Sequence, residues 1–280
     1  MAELLVGPKI LLMGEGGTGK THSLGTLVDW CAANNLEVFA LFTENGRETL
    51  LGYWKDRGLP IPDCLHWHDT KTRPVSLASL MTAAENVGKL TYDGITKLTD
   101  MNRSGDNNAF YKILLACKDF PDDRTGKKFG AVDEWGADRV FINDSLSETA
   151  NACMKMVIGS KPTASQPDYG VAQNNLMNFL RICTQATSAT VVITAHVERE
   201  LDAISGVSKI FVSSIGKALA ASIPPLFSEV LYTVREGDKF YWDTAAFGVA
   251  TKTRSLGYRS KIPPDFAAIM NVWKKRSTEL

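Results

Sequence analysis

Four short apolar runs recur along the chain, at Lys9–Met13, Glu37–Thr43, Arg139–Ser145 and Thr190–Ala195. None alternates apolar with polar residues as a half-exposed strand does. They read instead as strands buried on both faces of a parallel sheet. Between them lie stretches with helical spacing and few breakers. Thr21–Asn34 contains no proline, Arg47–Arg57 is closed by Gly58 and by Pro60 and Pro62, and Leu146–Ile158 follows the third run directly. Val171–Thr187 carries Val171, Leu176, Phe179, Leu180, Ile182 and Cys183 at helical spacing, which reads as a helix with these residues in the core rather than on a ligand. Strands alternating with helices predict an α/β fold with a mostly parallel central sheet flanked by helices. Toward the C-terminus the pattern changes. Glu229–Val234 and Lys239–Asp243 bracket Glu236-Gly237-Asp238, which predicts an antiparallel hairpin. Before it, Gly216-Lys217-Ala218-Leu219 opens a short helix that Pro224-Pro225 stops.

Residues 70–135 carry the weakest periodicity. Ser76–Lys89 and Ala109–Lys118 are helix-compatible, but polar, turn-rich stretches surround them at 102–108 and 121–128. We expect a surface insertion here on a single domain spanning 1–280. Two further stretches, Gly159–Gly170 and Arg199–Ser214, are expected as loops.

The first run leads into Gly14-Glu15-Gly16-Gly17-Thr18-Gly19-Lys20-Thr21, which satisfies G-x-x-x-x-G-K-[ST] between a strand and a helix. Glycines at these positions let successive backbone N–H groups converge on phosphate, and the helix N-terminus adds partial positive charge. Lys20 is expected on the β- and γ-phosphates of a nucleoside triphosphate and Thr21 on Mg²⁺. The third run ends in Asp144, the place of a carboxylate that completes the Mg²⁺ site.

Hydrolysis also needs a group that orients or deprotonates water. No glutamate follows Asp144 directly. Glu44, at the tip of the second run, is the first candidate because strand tips face the ligand in open α/β sheets. Glu148, one helical turn beyond Asp144, is the alternative. His196 ends the fourth run, where a polar side chain can sense the γ-phosphate. Cys64, His66 and His68 alternate on one strand face, a spacing that a zinc site and a plain polar strand face share.

Composition narrows the classes. Of 280 residues, 44% are hydrophobic, enough for one large core or two small ones, and the formal net charge is zero. Any polyanion-binding surface is therefore local. Between 252 and 276 seven basic residues face a single acid, Asp265. Within that segment (the basic part of 252–280), Lys252 and Arg254 follow directly on a strand. No apolar run approaches the ~20 residues that cross a bilayer, so no membrane association is expected. The first strand starts near Lys9, so no targeting segment is expected. The five cysteines are scattered and odd in number, the usage of a reducing cytoplasm.

Taken in order, these parts resemble the RecA-like branch of the P-loop ATPases. The family's strand ending in a catalytic glutamate is matched by Phe39-Ala40-Leu41-Phe42-Thr43-Glu44, and its Walker B strand by Val140-Phe141-Ile142-Asn143-Asp144-Ser145. His196 stands where the family has a glutamine that couples ATP to a DNA-binding loop. Gly216-Lys217-Ala218-Leu219 is similar to the motif that follows the family's second DNA loop. Compactness, Asp119-Phe120-Pro121 and Thr125-Gly126 resemble the phage-encoded single-strand annealing and recombination ATPases of the Sak group. The resemblance implies ATP hydrolysis with Mg²⁺, stimulated by single-stranded DNA in the host cytoplasm. It implies a homo-oligomer, ring or filament, in which Lys252 and Arg254 reach a neighbour's ATP, and a single-strand-binding protein as a further partner. DNA contacts fall on the two expected loops, through Lys161, Arg199, Lys209 and Phe211. A nucleotide kinase and a DNA-packaging or helicase-loading ATPase are the competing readings.

Overall fold

Each apolar run forms a strand, and the strands assemble side by side as their two-faced burial requires. The structure is a computed structural model; it describes residues 5–70, 77, 78, 81, 85, 108–159, 161, 163–201 and 208–279. Strand β1 (Lys9–Gly14) leads into helix α1 (Lys20–Ala33), followed by β2 (Glu37–Phe42), α2 (Gly46–Lys55) and β3 (Leu65–Asp69). Then come α3 (Ala109–Lys118), β4 (Arg139–Asp144), α4 (Leu146–Ile158), α5 (Gln166–Arg181) with a π-helical turn at Ile182–Ala186, and β5 (Thr190–Ala195). The last part holds β6 (Val197–Leu201), β7 (Ser208–Val212), α6 (Gly216–Ser222), β8 (Glu229–Glu236), β9 (Lys239–Asp243) and α7 (Ala267–Thr278).

Seven strands make one sheet in the order β3-β2-β4-β5-β1-β8-β9. All its pairings are parallel except β8 with β9, the expected hairpin. Strand periodicity divides the core in two. Leu11, Met13, Phe39, Leu41, Phe141, Val191 and Ile193 face the layer of α3, α4, α5 and α6. Their sequence neighbours Ile10, Leu12, Val38, Ala40, Ile142 and Val192 face α1, α2 and α7. The order places β5 between β1 and β4. The phosphate-loop strand and the strand ending in Asp144 are therefore second neighbours, roughly 10 Å apart.

Three expectations change. First, residues 108–135 are built into the core rather than added to its surface. Phe110, Ile113 and Ala116 of α3 are buried, and Phe120 and Trp135 pack on Phe39 with ring centroids 5.4 and 4.4 Å away. Isolated aromatics between polar turns conceal this burial in the sequence. The helix expected at Ser76–Lys89 lies largely outside the described residues. Second, the Arg199–Ser214 stretch is not simply a loop. It contributes to an antiparallel ribbon of β6 and β7, in register from Val197↔Val212 to Leu201↔Ser208. Third, Lys275 and Arg276 form the basic last turn of α7, whose other face packs on α1. Trp273 meets Trp30 edge-on at 6.4 Å, and Trp30 Nε1 donates to Asn271 Oδ1 at 2.8 Å. Helix α5 also begins earlier than expected, because Ser165 and Asp168 form a capping box around Pro167.

Candidate functional site

The parallel strands point their C-terminal ends the same way, and every group discussed next lies at that edge. β1 ends at Gly14, and the chain turns through Gly17 (φ 73°) and Gly19 (φ 82°) into α1. These left-handed conformations are why the loop needs glycine. α1 starts with no side-chain cap and no acidic residue in its first turn, so its terminal amides suit an anion. Lys20 is buried and donates to the carbonyls of Gly14 (2.9 Å) and Glu15 (2.7 Å). Burial lowers its pKa, while the negative charges of Asp144, Glu44 and Glu15 pull the other way. Thr18 Oγ1 bonds the Glu15 carbonyl (2.8 Å) and lies 2.6 Å from Thr233 Oγ1, tying the loop to β8.

Asp144 spans the gap made by β5. Its Oδ2 accepts from Thr21 Oγ1 at 2.9 Å, and its Oδ1 accepts from Thr194 Oγ1 on the intervening strand. Burial pushes its carboxyl pKa up, and the neighbouring Glu44 charge adds to this. A hydroxyl and a carboxylate side by side are hard oxygen donors of the kind Mg²⁺ takes, so the residues fit the ion. Bound there, Mg²⁺ would be held by Thr21 and Asp144 and would neutralise phosphate charge.

Glu44 follows β2, whose end is stapled to the end of β4. Thr43 N donates to the Asp144 carbonyl (2.8 Å), and Thr43 Oγ1 both accepts from Ser145 N (2.9 Å) and donates to Ser145 O (3.0 Å). The Glu44 carboxylate therefore has a defined place beside Asp144. Its Oε2 lies 3.4 Å from His196 Nε2, at the tip of β5. That hydrogen bond is the main reason the Glu44 pKa falls below its ordinary value; partial burial opposes it. Glu148 instead accepts from Asn151 Nδ2 (3.1 Å) along its own helix.

Gly46 is a site residue that the sequence does not mark. A Cβ there would sit 2.1 Å from Asp144 Oδ2 and 3.1 Å from the Phe42 ring, so α2 starts hard against the carboxylate. Gly46→Ala is expected to turn Asp144 away from Thr21 and lower ATP turnover by about 10- to 100-fold, with more Mg²⁺ needed for half-maximal rate. An Mg²⁺ titration of turnover checks this; an unchanged titration curve would remove Asp144 from the ion site. Thr194 and Thr233 were equally silent in the sequence, as threonines are ordinary residues in strands.

The remaining candidates do not gather here, with one exception. Arg199 reaches the phosphate loop: its Nε donates to Glu15 Oε1 at 2.6 Å and its Nη2 lies 3.5 Å from the Tyr232 hydroxyl. Lys209 and Phe211 lie on β7 of the same ribbon. Lys161 pairs with Asp168 at 2.6 Å, and this bond, with two more from Ser165, holds the Asp168 carboxyl at about 2. Lys252 pairs through its backbone with Val230, which is level with Leu11 on β1. Arg254 N donates to Glu229 Oε1 at 3.1 Å. Both residues therefore lie alongside the first residues of β8, away from the sheet edge that carries their own phosphate loop.

The Cys64, His66 and His68 face is occupied by carboxylates. His66 Nδ1 meets Asp122 (3.0 Å) and its Nε2 meets Glu37 (2.8 Å), while His68 Nδ1 meets Asp123 (2.8 Å). Among the described residues no cluster of three or more His, Cys, Asp or Glu side chains could hold a metal, and no helix is long and apolar enough to cross a membrane.

No curated protein matches the sequence. Solved structures with similar folds include the prototypical ATPase from the type III secretion system of pathogenic bacteria. It is 16% identical, with 83% of this chain and 54% of that one covered and a TM-score of 0.41, so this chain spans about half its length. The flagellar accessory protein FlaH from Methanocaldococcus jannaschii is 14% identical, with 92% and 84% covered and a TM-score of 0.41. The model of the AAA_24 family, described as an AAA domain, matches residues 7–259, nearly the whole chain. With its phosphate loop between β1 and α1 and Asp144 beside Thr21, the chain belongs to that family and is a P-loop ATPase of the AAA type.

Proposed function

We propose that this ATPase hydrolyses ATP, with Mg²⁺, on assembly with single-stranded DNA, as a recombination or annealing ATPase of the phage type. Glu44 positions the attacking water, and His196 passes the state of the nucleotide to the ribbon. One observation carries the reading. His196 touches Glu44 on one side and the ribbon on the other, because its carbonyl accepts from Ser213 N (2.8 Å) just past β7 and Val197 starts β6. A shift of either partner must be felt by the other. Lys209 and Phe211 on β7 supply the cation and the aromatic ring that a single strand needs. In this reading Lys161, paired with Asp168 in the first turn of α5, is a further DNA contact. In an oligomer, ring or filament, Lys252 and Arg254 serve a neighbour's site, which suits their distance from their own. The cytoplasm and a single-strand-binding protein complete the setting.

The test is steady-state ATP hydrolysis by the full chain with and without single-stranded DNA, beside Lys209→Ala and Phe211→Ala. We expect several-fold stimulation by DNA, with both variants needing more DNA to reach it, as loss of one stacked base or one phosphate contact implies. Wild-type turnover that ignores DNA at low salt would overturn the proposal. A phosphorylated small-molecule product would point to the kinase reading instead.

A further inference from the structure

Arg199 sits on the ribbon, yet its guanidinium points at the phosphate loop. Both Nε and Nη2 lie 2.6 Å from the same Glu15 oxygen, and Nη2 also approaches the Tyr232 hydroxyl on β8. Together they wall a groove that runs along the loop, lined by Glu15, Gly16, Thr18, Arg199, Tyr232 and Arg235. The groove opens directly on loop residues whose backbone is shaped for phosphate. Glu15 puts a carboxylate at the mouth of this loop, where it repels the polyanion the loop exists to bind. Its partner resolves the conflict. Arg199 and Glu15 are each about half exposed (55% and 52%), and such a pair is held weakly enough to exchange. A guanidinium offers a planar fork of donors that matches phosphate oxygens at least as well as a carboxylate.

We propose that Arg199 is a contact residue for the terminal phosphates of the bound nucleoside triphosphate, supplied by the same chain. In this assignment Glu15 parks the guanidinium at the mouth of the loop, and the incoming phosphates take it over. The residue then belongs to the nucleotide rather than to DNA, and the inference stands on the loop and groove alone, independent of any DNA partner. It also gives the ribbon a direct means of distinguishing triphosphate from diphosphate.

The experiment is equilibrium binding of ADP and of a non-hydrolysable ATP analogue to the full chain without DNA, for wild type, Arg199→Ala, Arg199→Lys and Glu15→Gln. Loss of a charge-assisted phosphate contact should weaken the analogue by about tenfold or more in Arg199→Ala, while ADP stays within about twofold. Arg199→Lys should recover part of the loss, because charge remains without the fork. Glu15→Gln, which frees the guanidinium and removes the repulsion, should bind the analogue more tightly than wild type. Equal losses for both nucleotides in Arg199→Ala would reduce Arg199 to a support for the loop and overturn the assignment. Unchanged analogue binding would overturn it as well. Because no DNA is present, neither result bears on whether DNA stimulates hydrolysis.

Discussion

Glu44→Gln is expected to lower ATP turnover by roughly two to four orders of magnitude, the usual contribution of a positioned general base. Nucleotide binding should stay within a few fold of wild type. The substitution is nearly isosteric, so the staple between Thr43 and Ser145 that sets the residue's position survives. What is lost is the charge. His196 holds the Glu44 carboxyl below its ordinary pKa, so it stays ionised at neutral pH and can orient water through its charge. An amide can still bond His196 but accepts a proton poorly. Single-turnover hydrolysis beside equilibrium binding separates the two effects. Turnover close to wild type would pass the role to another carboxylate, with Glu148 the next to examine.

Lys20→Ala should weaken nucleotide binding itself. Lys20 is the buried cation at the centre of the loop, and its ammonium already bonds two loop carbonyls. Each charge-assisted bond to phosphate is worth about 1.5–3 kcal/mol, so affinity for ATP is expected to fall by ~10²-fold or more, and hydrolysis with it. The fold should persist, because α1 is anchored by Leu24, Leu27, Val28 and Trp30 on its far side. Binding of a fluorescent ATP analogue, read beside thermal unfolding, checks both halves. An alanine variant that binds normally would take Lys20 out of the phosphate site.

Much of this was legible before any coordinates, for a physical reason. Strands buried on both faces must be apolar throughout, so β1, β2, β4 and β5 stand out as uninterrupted runs, and their ends fall within a residue of the expected ones. The phosphate loop is equally visible, because its chemistry depends on glycine and lysine at fixed spacing. Strand β6 was not, since Val197-Glu198-Arg199-Glu200-Leu201 sets three charged residues in a row between two apolar ones and reads as loop. Helix α7 hid behind Lys274–Arg276, although Ile269, Met270 and Trp273 already carried helical spacing. Within the site, Asp144 was marked by its strand, whereas Gly46, Thr194 and Thr233 act through proximity alone. The contact of Arg199 with Glu15 joins residues 184 positions apart, so no local pattern marks it.

Strand β5 reaches the site twice from one side, because Thr194 and His196 are two residues apart and share a face while Ala195 turns to the other. The contacts to Asp144 and to Glu44 are thus locked to a common phase. A point substitution can remove either one alone. A one-residue insertion or deletion early in β5 would instead invert the strand beyond it, turning both side chains away from the nucleotide and bringing Ala195 toward it. Natural length variation should therefore be tolerated poorly between β5's first residue and His196, however conservative the residues gained or lost.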